Sequence, residues 1–127
     1  MNHIRILLVE DNALLRDWIR TSLEEDGFDV TAASSLAEAD CAGAAWPFDV
    51  LVTDWKLADG TGFDVLADVR PMWSGILPIL ISADADSTLV ERARAAGFRA
   101  VLQKPFPPWK IVAAIHELAA QPCEVAL

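Results

Sequence analysis

Asp49-Val-Leu-Val-Thr-Asp54 sets an apolar, β-branched run between two carboxylates. A run with no polar alternation is the mark of a strand buried on both faces, and burial on both faces is the condition of a parallel sheet covered by helices. Working outward, comparable runs occupy about 4–9, 29–33, 78–82 and 100–103. Three of the five end in chemistry: Glu10-Asp11 follows the first, Asp54 closes the central one, and Lys104-Pro105 follows the last.

The segments between these runs carry helical period. Leu15, Ile19 and Leu23 share one stripe, with Gly27 placed as a C-terminal stop. Ser35-Leu-Ala-Glu38 reads as a capping box for a second helix. A third helix is expected over about 63–70, ahead of Pro71, and a fourth from Asp86-Ser87 to Gly97 with Leu89, Ala93 and Ala96 inward. The last starts at Pro107-Pro108 and buries Ile111, Ile115 and Leu118, leaving 121–127 as a tail. Strands alternating with helices, joined by right-handed crossovers, give an α/β fold: a doubly wound, five-stranded parallel sheet with helices on both faces.

A chain of 127 residues is enough for one domain with a real core and too short for two. The apolar content of 54% is high, but the longest apolar stretch, 75–83, is broken by Pro78 and is far short of a membrane span. The N-terminus turns acidic too early for a signal peptide, and Cys41 and Cys123 make no disulfide framework, so a cytoplasmic location is expected. A net charge of −9 with no basic cluster argues against direct nucleic-acid binding.

If the runs ending at Val9, Asp54 and Gln103 are parallel neighbours, their C-terminal ends gather Glu10, Asp11, Asp54 and Lys104 in one crevice. Carboxylates about 4 Å apart at an effective dielectric of about 20 repel by roughly 4 kcal/mol per pair, so such a cluster demands a counter-ion. Mg²⁺ suits it: a hard cation that takes one or two carboxylates, keeps waters, and completes its shell with phosphate.

These residues, over about 3–120, resemble the receiver domain of two-component response regulators. The resemblance implies the flavodoxin-like strand order 2-1-3-4-5. It makes Asp54 the phospho-acceptor, with Mg²⁺ held by Asp11, Asp54 and the backbone carbonyl of Lys56, and by Glu10 through water. Lys104 would neutralise the phosphoryl oxygens, its bond to Pro105 being cis in the family, and Ser82 is the hydroxyl that turns towards the phosphoryl group. Ser82 could equally satisfy a backbone carbonyl. A sensor histidine kinase or histidine phosphotransfer protein would be the donor, with an unidentified output partner. The resemblance also implies that the fourth helix, fifth strand and fifth helix would form the face for any homodimer. Such a domain is a stoichiometric acceptor rather than an enzyme. Whether the chain acts alone or belongs to a larger protein stays open.

Two positions depart from the family pattern. Val101 stands where receivers carry an aromatic switch, and a β-branched side chain cannot report by a large rotamer swing, so coupling to the fourth-helix face should be altered or weaker. Ala58 replaces a common proline and should loosen the loop after Asp54. Trp18, Trp46, Trp73 and Trp109 read as packing residues, whereas Trp55 adjoins Asp54 and should report on ligands there. His116 reads as a solvated helix residue. Two other function classes are weighed against this one. A haloacid-dehalogenase-type phosphatase shares the aspartate nucleophile and Mg²⁺, but needs a second Asp two residues after the first, which Glu10-Asp11-Asn12 lacks. A receiver-like module that works without phosphorylation would retain the fold and take up no phosphoryl group.

Overall fold

The computed structural model describes residues 4–45, 47–73 and 75–120. In chain order the elements are β1 (Arg5–Val9), α1 (Ala13–Glu25), β2 (Asp29–Ala33), α2 (Leu36–Ala45), β3 (Val50–Asp54), β4 (Lys56–Leu57), β5 (Gly60–Thr61), α3 (Gly62–Val69), β6 (Leu77–Ser82), α4 (Ser87–Ala96), β7 (Ala100–Gln103) and α5 (Pro108–Ala120). The main sheet is parallel with order β2-β1-β3-β6-β7. Leaving out the small β4–β5 pair, that is the expected order 2-1-3-4-5.

The sheet divides the core in two. Leu7, Val9, Leu51 and Leu80 face Ala39, Val65, Val69, Leu89 and Ala93 of α2, α3 and α4. Ile6, Leu8, Val50, Val52, Ile79 and Ile81 face Ile19, Leu23, Ile111 and Ile115 of α1 and α5. This alternation along β1, β3 and β6 is why those runs look apolar throughout: nearly every residue meets a helix layer on one face or the other. Gly27 and Gly97 take positive φ, of 95° and 111°, as helix stops.

Several local expectations are corrected. The segment after Asp54 is not a plain loop, because Lys56 pairs with Thr61 and Leu57 with Gly60 in an antiparallel ladder. The box at 35–38 closes only in part: the Ser35 hydroxyl accepts from the Glu38 amide at 3.1 Å, but the Glu38 carboxylate reaches past it to the Ser34 amide, at 2.7 Å. The Leu36 and Ala37 amides donate instead to Asp59, at 2.8 and 3.0 Å. A reciprocal capping box opens α3, between Thr61 and Asp64. Trp18 and Trp109 are not packing residues, being 49% and 65% exposed. The Trp73 indole donates to the Gly43 carbonyl at 2.7 Å. His116 is exposed but not merely solvated: it pairs with Asp26 and lies 5.2 Å from the Phe28 ring, tying α5 to the end of α1. Trp46 and the tail from Gln121 lie outside the described residues.

Candidate functional site

Three strands deliver the site. β1 neighbours β3, and the chain leaves them towards opposite sides of the sheet, which opens a crevice at their C-terminal ends. Asp54 is the last residue of β3, paired with Ile81 and buried. The residue that follows it is held at both its polar groups: the Trp55 amide donates to Ile81 O at 2.8 Å, and the Gly62 amide donates to Trp55 O at 2.9 Å. A side chain at Gly62 could not fit there, since a Cβ would lie 2.5 Å from the Asp54 carbonyl oxygen.

Lys104 comes from the far side of the sheet. Its amide donates to Ser82 O at 2.7 Å, and its bond to Pro105 is cis. The ammonium lies 2.9 Å from Asp54 Oδ2 and 3.0 Å from Glu10 Oε1. Burial pulls the Lys104 pKa down, but the hydrogen bonds and charges of Asp54 and Glu10 outweigh it, and the net shift is upward.

Glu10 is fully buried, its Oε2 accepting from the Asn12 amide at 3.1 Å. Burial pushes its pKa up to about 7, helped by the nearby Asp54 charge and opposed by Asn12 and Lys104. Its buried Oε1 is met by the Lys104 ammonium at the ion-pair distance given above. Arg16 Nη1 donates to the Glu10 carbonyl at 2.8 Å and pins α1 beside the site.

Carboxylate oxygens of Glu10, Asp11 and Asp54 all lie within 4.8 Å of one another, with Asp11 exposed at the mouth. Three hard oxygen donors, two of them from buried carboxylates, fit a small hard divalent cation such as Mg²⁺. Lys56 stands two residues beyond Asp54, exposed, at the start of β4.

Ser82 is buried at the end of β6, and its hydroxyl is engaged with the Asp84 backbone, accepting from the amide and donating to the carbonyl, each at 3.1 Å. The local role weighed for it is therefore the one seen. Val101 is half-buried against the α2–α3–α4 side of the core. A cavity of about 410 Å³ opens over Asp54, lined also by Trp55, Ser82, Asp84, Arg92 and Lys104.

The structure brings Glu10, Asp11, Asp54 and Lys104 together at one end of the sheet, and adds Arg16, Asp59 and Arg92, which sequence reading did not single out. Arg92 is an exposed residue of α4, and nothing local to that helix announces the Trp55 and Phe63 rings it covers.

Known proteins agree with this geometry. The response regulator receiver domain family matches residues 6–116. The chemotaxis protein CheY of Pseudomonas aeruginosa is 33% identical over 111 residues, covering 81% of this chain and 86% of that protein. The KDP operon transcriptional regulatory protein KdpE of Escherichia coli is 35% identical over 101 residues, 80% of this chain but only 44% of its own length. The chain thus spans under half of that transcriptional regulator. The non-phosphorylated HemR receiver domain of Leptospira biflexa superposes with a TM-score of 0.86 at 27% identity, covering 94% of this chain and 97% of that one. This chain belongs to the response regulator receiver domain family.

Proposed function

We propose that the chain is a phospho-accepting switch whose acceptor is Asp54, with residues 1–120 as the functional unit and 121–127 as its tail. The observation that carries the reading is the Asp54 carboxylate, buried at a strand end, 2.9 Å from Lys104 and clustered with Glu10 and Asp11. Asp11, Asp54 and the Lys56 backbone carbonyl would hold Mg²⁺, with Glu10 acting through water. Bound there, the metal supplies charge neutralisation to the entering phosphoryl group.

The chain's own residues do the rest. An Asp54 oxygen attacks the phosphorus of a phosphohistidine. The P–N bond breaks, the electron pair returns to the donor imidazole, and the product is an acyl phosphate. Lys104 already sits against Asp54 and stabilises the charge that develops on the phosphoryl oxygens. Ser82 leaves Asp84 to bond the phosphoryl group, which changes the β6–α4 loop.

The donor is a sensor histidine kinase or a histidine phosphotransfer protein in the cytoplasm. The output partner, or a second copy of the chain, meets the α4–β7–α5 face. The protein is a stoichiometric acceptor that assists its own phosphorylation. Incubation with acetyl phosphate and Mg²⁺ followed by intact-mass measurement tests this: one phosphoryl adduct is expected, lost in Asp54→Asn. An unlabelled wild type beside a labelled control receiver would favour a phosphorylation-independent module.

A further inference from the structure

The Arg92 guanidinium rests over aromatic rings beside the cavity that holds Asp54. Its Cζ lies 5.2 Å from the Trp55 ring centroid and 5.3 Å from that of Phe63, and the two rings lie 4.7 Å apart. Among the described residues these ring contacts are the interactions it makes; no hydrogen bond or ion pair engages its N–H groups. Its donors are therefore uncommitted within the protein.

Arg92 also lines the Asp54 cavity. The charged residues lining that cavity are Asp54, Asp84 and Asp86 with Lys56, Arg92 and Lys104, and Glu10 and Asp11 adjoin Asp54. Of the anions, Asp86 is occupied in capping the Leu89 amide, at 2.8 Å. Of the cations, Lys104 is shared between Asp54 and Glu10. A phosphoryl group brings roughly two more negative charges and three strong acceptor oxygens. An exposed cation–π contact is weak beside a charge-assisted, bidentate guanidinium–phosphate pair.

We propose that Arg92 is a second phosphoryl-binding cation, and that its transfer from the Trp55 and Phe63 rings to the phosphoryl oxygens carries the signal into α4. The inference rests on the reading of Asp54 as acceptor. It supplies what Val101 cannot, a large side-chain movement linked to α4. The stack is well placed for that role. Trp55 is held by the hydrogen bond its backbone N–H donates to the Ile81 carbonyl, and Phe63 continues to Phe98, beyond the C-terminus of α4, with centroids 5.7 Å apart.

The test uses the full chain labelled with ¹⁵N on Arg and Trp, given Mg²⁺ and then beryllofluoride, with acetyl phosphate labelling followed by mass in parallel. The Arg92 Nε–H and Trp55 indole resonances should move from their Mg²⁺-only positions while that of Trp73 stays. Arg92→Gln should slow acetyl phosphate labelling about five-fold and Arg92→Lys should recover part of it. Arg94→Gln, which removes the same charge from the same helix, should not slow it comparably. An unmoved Arg92 Nε–H in wild type that is labelled and binds beryllofluoride overturns the proposal, as does equal slowing by Arg92→Gln and Arg94→Gln. Wild type that takes up no phosphoryl mass sinks the acceptor reading and this inference with it. The wild-type spectra decide the matter even if Arg92→Gln fails to fold.

Discussion

Asp59 accepts the Leu36 amide at 2.8 Å from 23 residues further along the chain. The same carboxylate takes the Ala37 amide, so the turn between β4 and β5 caps the N-terminus of α2. These bonds hold the Asp59 pKa below the usual carboxylate range. They also anchor the segment that Ala58 was expected to loosen. Asp59→Ala should lower the melting temperature, with Asp59→Asn falling between, since Asn keeps one acceptor oxygen. A depressed pKa means the contribution is full above the unfolded value of 3.8 and is lost as pH falls through the lower folded value. The gap between wild type and Asp59→Ala should hold from neutral pH to about 4 and close below it. Thermal melts across that range check this, and a gap that widens in acid would contradict it.

Lys104 neutralises Asp54 and Glu10 together, a role that repulsion among bare carboxylates leaves out. Removing it leaves buried carboxylates uncompensated, so Lys104→Ala should destabilise the metal-free protein by about 2 kcal/mol, the low side for a pair one partner of which is partly exposed. Mg²⁺ bound only by the folded state adds RT ln(1 + [L]/Kd), about 2.7 kcal/mol at a hundred times Kd. The metal should therefore raise the stability of both proteins, and raise that of Lys104→Ala more. Urea midpoints with EDTA and with Mg²⁺ measure both effects. Identical metal responses would show that Lys104 and the cation do not share the same charges.

The parts of this fold that were legible in sequence are those set by periodicity within one element. Leu15, Ile19 and Leu23, the doubly buried strands, and the residues that end β1, β3 and β7 follow from local pattern and one topological rule. The parts that were not legible depend on partners far apart in the chain. Asp59 reads locally as a turn residue before Gly60, and nothing near it announces the end of α2 it will cap. Arg92 reads as a charge on a surface helix until Trp55 and Phe63 are seen beneath it. Trp18 and Trp109 erred the other way, because aromatic character alone does not say which face of a helix is covered.

Asp40 on α2 and Asp68 on α3 set two carboxyl groups against each other away from the Asp54 cluster. Burial, then hydrogen bonding with Asp68 and repulsion from Asp68 and Asp59, raises the Asp40 pKa to about 6. Its Oδ1 is buried without a hydrogen-bond partner. For a raised acid the sign is the reverse of Asp59: ionisation costs stability as pH climbs from 3.8 to about 6, and the cost is complete above that. Asp40→Asn should raise the melting temperature at neutral pH, where its amide donates to Asp68, and give little gain near pH 4. A constant gain across the range would assign the effect to packing instead.

Gly62 lies against the backbone of Asp54, the proposed acceptor. A Cβ there would meet the Asp54 carbonyl oxygen at 2.5 Å, Leu80 Cδ1 at 2.8 Å and Thr53 Cγ2 at 3.0 Å. The leucine can turn aside, but the carbonyl belongs to a buried central strand, so the strand end or the start of α3 must shift. Gly62→Ala should therefore cost about 2 kcal/mol in stability, within the range for overpacking a core, although alanine favours a helix over glycine. It should also slow acetyl phosphate labelling of Asp54 at temperatures where the variant is fully folded, because the carboxylate loses its alignment with Lys104. Denaturant midpoints and intact-mass time courses separate the two effects. A destabilised variant labelled at the wild-type rate would show that α3 yields and the acceptor stays in place.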